Sequence, residues 1–239
     1  MHHNMKLRLV FALLFMCSFT LIAQVNQNDA SGQRHGLWKG TYEKSKRTRY
    51  EGTFEHGKET GTFKYFQDDK KSTLMATRVF AADGSCYTTF FDDKGKKVNE
   101  GKEVNKLRQG EWKFYFTGKD VVMMLENYNK GKLEGVKKVF YDNTSIAEEM
   151  SYKNGVREGN YKKYMVSGKV IEDSTYKNDQ LNGPASFFDE GGQIVAKGQF
   201  KDNKMTGKWQ YYEKGKVVKT VDETNRKVEL APPVPRKSE

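Results

Sequence analysis

Tyr152-Lys153-Asn154-Gly155-Val156-Arg157-Glu158-Gly159-Asn160-Tyr161-Lys162-Lys163-Tyr164 states the phrase on which the chain is built. An aromatic residue leads into Asn154-Gly155, Gly159 follows four residues later, and Tyr164 stands five beyond that. With Gly159 as anchor, matching glycines fall at Gly36, Gly61, Gly110, Gly135, Gly183 and Gly207. The steps are 24 or 25 residues, except for 49 between Gly61 and Gly110; the missing anchor falls at Cys86, with Phe91 five residues past it. Eight windows result, one of them degenerate. Phe66, Phe91, Tyr115, Phe140, Tyr164, Phe188 and Tyr212 occupy the position five past the anchor, and Tyr42 comes one place late in the first window. All three tryptophans, Trp38, Trp112 and Trp209, lie two past an anchor. Four before it stand Gly32, Gly57, Gly131, Gly155, Asp179 and Asn203, residue types that tolerate positive φ in tight turns. A fixed period of this size marks an array of one supersecondary unit.

Each window reads as strand, turn, strand, turn. In the sixth, the first strand covers about 159–166, Ser167-Gly168 turns the chain, and a second strand covers about 169–176 before Lys177-Asn178-Asp179. The second turns elsewhere hold Gly95, Gly118, Asn143, Gly191-Gly192 and Gly215. The glycines, anchors included, are read as hairpin turns. The expected fold is all-β: one elongated, twisted antiparallel meander of some sixteen strands, about 70 Å across at ~4.8 Å per strand. The third window, with Ala82 and Cys86 in place of glycines, is expected to be irregular.

Flanking segments bound this array. Lys6 and Arg8 precede an apolar run over 9–22 and a cleavage point at Ala23-Gln24, the pattern of a secretory signal peptide over residues 1–23. A transmembrane anchor is disfavoured because the run is short and uncharged on its far side. Lipidation at Cys17 is disfavoured because Leu14-Phe15-Met16 lacks small residues. Residues 24–31 form a polar lead-in, 32–220 the repeat domain, and 221–239 a flexible tail with Ala231-Pro232-Pro233-Val234-Pro235. Export is therefore expected: periplasmic, outer-membrane-associated or secreted.

The chain has 42 Lys+Arg and 31 Asp+Glu. Removing 1–23, which contains Lys6 and Arg8 and no acid, leaves 40 against 31, a net charge of +9. Cys86 then remains as a lone cysteine, read as a small buried residue with no disulfide framework around it. Thirty-one aromatics in register exclude a disordered chain.

The aromatic-x-Asn/Asp-Gly-x-x-x-Gly-x-aromatic-x-x-Tyr/Phe phrase resembles MORN repeats, and the 24-residue spacing is similar to the bacterial variant found in antitoxin-like and secreted proteins. The resemblance spans about 32–220. It implies a β-hairpin array used as a binding or scaffolding surface and implies no reaction. The export signal sits poorly with a purely cytoplasmic antitoxin.

Chemistry-bearing motifs are sparse. His35 and His56 each adjoin a glycine in a turn of adjacent windows, where two imidazoles could approach and hold a metal weakly; a third ligand is not evident, so no metal is expected. There is no Gly-x-Ser-x-Gly elbow and no distinguished carboxylate pair, and no cofactor is expected. Lysine is the remaining signal. Lys153, Lys177 and Lys201 each follow the leading aromatic, and Lys162-Lys163 and Lys137-Lys138 sit on strands. Such phases become rows in a stacked array. They serve either as solvated, aggregation-blocking lysines or as a basic surface for an anionic partner. Export makes lipid head groups, acidic glycans or another envelope protein better partners than nucleic acid. The expected function is non-enzymatic binding; an immunity role against an exported toxin, or hydrolysis of an envelope polymer, stands behind it.

Overall fold

The structure is a computed structural model describing residues 24–224. The expected leader and the Pro-containing end of the tail lie outside the described residues. Among the described residues there is no helix. The strands are β1 (Gln27–Asn28), β2 (Arg34–Thr41), β3 (Thr48–Glu55), β4 (Lys58–Phe66), β5 (Leu74–Phe80), β6 (Cys86–Phe91), β7 (Lys97–Val104), β8 (Leu107–Tyr115), β9 (Val122–Asn129), β10 (Lys132–Leu133), β11 (Gly135–Phe140), β12 (Ile146–Lys153), β13 (Val156–Tyr164), β14 (Val170–Lys177), β15 (Gln180–Phe188), β16 (Ile194–Lys201), β17 (Lys204–Glu213) and β18 (Lys216–Asp222). Each pairs antiparallel with the next, except that β10 and β11 both pair with β9 as one strand broken at Glu134. The result is the expected open meander, roughly 80 Å across at ~4.8 Å per strand.

Two turn chemistries close its two long sides. On one side two-residue loops with both residues at positive φ prevail: Asn105-Lys106 at 51° and 64°, Asn154-Gly155 at 52° and 91°, Asn178-Asp179 at 48° and 65°, Asp202-Asn203 at 50° and 65°. This is the type I′ geometry whose twist matches that of the flanking strands. The third window departs, as expected, with a longer β5–β6 loop in which Ala81 N donates to Ser85 O. On the other side the loops are longer, as where Met165 N donates to Lys169 O and Gly168 N to Met165 O, except for the two-residue Lys214-Gly215 loop before β18, at 48° and 74°.

The anchor glycines correct the sequence reading: they are not in turns. Gly159 lies inside β13, which begins at Val156, three residues before the expected start. In the β12–β13 ladder Met150 pairs with Tyr161 and Tyr152 with Arg157, so β13 carries two extra residues around Gly159. The same displacement recurs around Gly61, Gly110, Gly183 and Gly207. These are β-bulges, which bend the strand and sharpen its twist. The third window lacks the glycine and lacks the bulge: β5 and β6 pair without a register shift from Ala76–Phe90 to Phe80–Cys86. Cys86 itself is buried, as expected. Gly183 has φ 125°, and an added Cβ would lie 3.1 Å from Thr175 Cβ. Gly183→Ala is therefore expected to cost about 1–3 kcal/mol, read as a lower urea midpoint; an unchanged midpoint would show that the bulge relaxes freely.

Because side chains alternate across a strand, positions two and five past an anchor face opposite ways. One face carries a central row of cross-strand pairs matched in size. Phe63 packs over Gly52, Trp112 over Gly101 and Trp209 over Gly198. Met150 faces Tyr161, and Ser174 faces Ala185. Lys137 meets Glu126 at 3.3 Å. Phe63 and Trp209 are 0% exposed and Trp112 1%. A large ring thus lies where the neighbouring strand has no side chain, and the single layer buries tryptophan without a second sheet. The row is extended by edge-on contacts, Phe54 to Phe63 at 5.1 Å and Phe200 to Trp209 at 5.1 Å.

The opposite face carries charge. Glu51 lies 3.5 Å from both Lys39 and Lys64, and Lys138 is 3.2 Å from Glu149. Aromatics five past the anchor cover this ladder: Tyr115 donates to Glu100, Tyr164 to Glu149 at 2.7 Å, and Tyr212 to Gln210 at 3.0 Å.

Both ends of the array extend further than expected. The polar lead-in contains β1, and Asn26 brackets Lys39 with bonds of 2.7 and 3.1 Å to its backbone. Trp38 Nε1 donates to Gln27 O at 3.0 Å, so the lead-in half-covers the first tryptophan. Val221 and Asp222, assigned to the tail from sequence, continue β18, and Glu223 N donates to Gly207 O.

Candidate functional site

Lys153, Lys177 and Lys201 are the last residues of β12, β14 and β16, so all three stand at the side of the sheet closed by type I′ turns. They are exposed and recur on every second strand, which spaces neighbours by roughly 10 Å. None makes an ion pair or side-chain hydrogen bond with another described residue. The acids beside them are turned to other work. Glu134 accepts from Asn154 N at 2.8 Å, and Glu158 from Asn178 N at 2.9 Å. Asp179 is held by the Arg157 backbone N–H and guanidinium, which lower its pKa. Glu134 and Glu158, each immediately before an anchor glycine, thus cap the next window's turn rather than pair with Lys153 or Lys177; before Gly183 the place is held by Asn182, which donates to Asp202 at 3.1 Å.

Lys162 and Lys163 behave differently. They project to opposite faces, and each lies between two acids. Lys162 stands between Glu149 and Asp173 in register, 3.5 Å from the Asp173 carboxylate. Lys163 stands between Glu148 and Glu172. Their charge is locally balanced, so they are separate from the edge row. Of the structural repeat positions, Trp112 and Trp209 form the central row, while Tyr115, Tyr164 and Tyr212 lie on the charged face.

A groove of about 200 Å³ opens on the aromatic face over β11–β14, where the central row holds Tyr161 in place of a stacked tryptophan or phenylalanine. Tyr161 and Tyr176 meet edge-on at 5.9 Å, and the Arg157 guanidinium lies 4.6 Å over the Tyr176 ring. Burial pushes the Tyr161 hydroxyl up, with Glu148 and Glu172 adding to the shift, so Tyr161 is a neutral donor at neutral pH. The lining includes no serine, cysteine or histidine. It is a hydrogen-bonding wall of tyrosines and charged groups. A second groove, of about 380 Å³, lies among Arg34, Tyr50, Phe54, Glu59 and Tyr65. Sequence reading missed both, because neither follows from a local motif: their walls come from side chains on neighbouring strands.

Burial pushes the Glu172 carboxyl up, outweighing the nearby Lys163. The folded chain therefore binds this proton more tightly than the unfolded chain. Stability from this group is fully present below the unfolded carboxylate pKa and falls as pH rises through the folded value. Glu172→Gln is expected to raise the urea midpoint at pH 7 and to leave it unchanged at pH 3. A lower midpoint at pH 7 would show that the Ser174 hydrogen bond and the nearby Lys163 charge outweigh burial.

No family model matches the chain, and no curated protein matches it. Among solved structures, an S. aureus TarM mutant in complex with Fondaparinux, alpha-GlcNAc-glycerol and UDP is similar at TM-score 0.32 and 16% identity, over 41% of this chain and 19% of that one. The chain spans about a fifth of that protein's length, and at this level the likeness carries no argument.

Proposed function

We propose that the chain is a non-enzymatic, exported, MORN-like repeat protein whose lysine-bearing side binds an anionic component of the cell envelope. The observation that carries this is the row Lys153, Lys177 and Lys201, exposed and without ion pairs among the described residues, with Glu134 and Glu158 beside the first two engaged by turn amides. Lys39, Lys64, Lys138 and Lys162, on the charged face of the sheet, sit instead in cross-strand ion pairs. A rigid sheet holds the row in line, so its contacts add along a flat anionic surface at about 1 kcal/mol per lysine.

The test is co-sedimentation of the chain lacking residues 1–23 with phosphatidylglycerol vesicles, phosphatidylcholine vesicles and an insoluble acidic glycan. Binding to an anionic surface at low salt and its loss at high salt are expected, since the Debye length falls to about 3 Å at 1 M. The vesicle and glycan arms separate phosphate from carboxylate or sulfate recognition. Equal binding to neutral and anionic surfaces at low salt would remove the proposal.

A further inference from the structure

The geometry points to a divalent transition-metal site formed by Asp29, His35 and His56 at the amino-terminal end of the sheet. Three separate segments supply it. Asp29 lies in the turn between β1 and β2, His35 on β2, and His56 in the two-residue hairpin between β3 and β4. His56 Nδ1 lies 2.7 Å from Asp29 Oδ2, and the two imidazole rings are 5.0 Å apart between centroids. One donor atom from each residue lies within 4.8 Å of the others. The sequence reading placed the two histidines near each other but found no third ligand. It lies in the lead-in, at no recognisable metal-site spacing from either histidine.

The surrounding bonds hold this arrangement in place. Asp29 Oδ1 accepts from Ser31 N and Gln33 N, each at 2.9 Å, which leaves Oδ2 facing the histidines. Gly57 N donates to Arg34 O at 2.8 Å and docks the His56 turn against β2. Asn26 fastens the lead-in to Lys39. Tetrahedral coordination at ~2.0–2.1 Å bond lengths needs donors about 3.3 Å apart. The Asp29–His56 pair is already in contact and all three donor atoms lie within 4.8 Å of one another, so metal binding asks only for adjustment of the exposed histidine side chains. Two imidazole nitrogens and one carboxylate oxygen suit Zn²⁺, Ni²⁺ or Cu²⁺ and disfavour Mg²⁺ and Ca²⁺, which take oxygen-rich shells. Both histidines are exposed, so water reaches the fourth position.

The experiment is calorimetric titration of the full chain with Zn²⁺ at neutral pH, with His2 and His3 replaced by glutamine in every sample so that they do not compete. Saturable binding of one equivalent is expected, with no heat from Mg²⁺. His35→Gln, His56→Gln and Asp29→Asn should each weaken affinity at least tenfold. Far-ultraviolet circular dichroism should be unchanged, since the side chains lie outside the central row. With Cu²⁺, electron paramagnetic resonance should show coupling to two imidazole nitrogens, falling to one in His35→Gln. Absence of saturable Zn²⁺ binding, or an affinity unaltered by His35→Gln, would overturn the assignment and leave Asp29–His56 as a turn-capping ion pair.

Discussion

Trp209→Ala is expected to lower the stability of the carboxy-terminal hairpins by about 3–5 kcal/mol, the range for a buried aromatic truncated to alanine. Trp209 is wholly buried, stacks on Phe187 at 6.2 Å, meets Phe200 edge-on, and donates Nε1–H to Gln199 O at 3.1 Å. No second layer stands ready to collapse into the gap. The informative partner is Gly198. An added Cβ there would lie 2.3 Å from ring carbons of Trp209, so Gly198→Ala forces the indole out of its seat. That change should cost about 1–3 kcal/mol alone. With Trp209 already truncated the new methyl meets no ring, so the two losses should fall short of adding by about 1–3 kcal/mol. Urea denaturation gives the cycle, and hydrogen exchange locates the loss in β16–β18, since repeat arrays need not unfold as one unit. Strict additivity would mean that the glycine does not seat the ring.

Reversing Lys153, Lys177 and Lys201 together to glutamate should weaken binding to anionic vesicles by about 100-fold or more, since three lysines contribute about 3 kcal/mol before the new repulsion is added. A control with the same change in charge is Lys64, Lys138 and Lys162 to glutamate, three residues held in cross-strand ion pairs. Their reversal should weaken binding much less. Equal loss in both variants would assign the attraction to net charge; no loss in the first would make the row a solubility feature.

The fold was legible because period, turn chemistry and aromatic phase all agree: a glycine or asparagine every 24 or 25 residues dictates hairpins wherever the core lies. The role of the anchor glycines was not legible. A glycine at positive φ serves a turn and a bulge alike, and only the ladder register separates Gly155 in a loop from Gly159 inside a strand. The seating of rings over Gly52, Gly101 and Gly198 was hidden for the same reason, because those glycines lie nine residues before an anchor, on the neighbouring strand. The lysine row could be read as a repeat phase. Its lack of ion-pair partners could not, because it depends on where Glu134 and Glu158 point. Lys162 and Lys163 look like one basic pair in sequence, yet the pleat sends them to opposite faces. Asp29 was invisible as a ligand, being joined to His56 only by a docked turn.

Every ladder in the sheet joins a strand to its immediate successor, apart from the bipartite β10–β11 strand. No described element closes the sheet on itself, and no pairing skips a window. The length of the molecule is therefore a copy number. Adding or removing one 24-residue window changes the span by two strand widths, about 10 Å, and leaves the remaining pairings as they were. A chain of this kind can be lengthened by duplication without redesign, and the distance it bridges is fixed by how many times one short phrase is written.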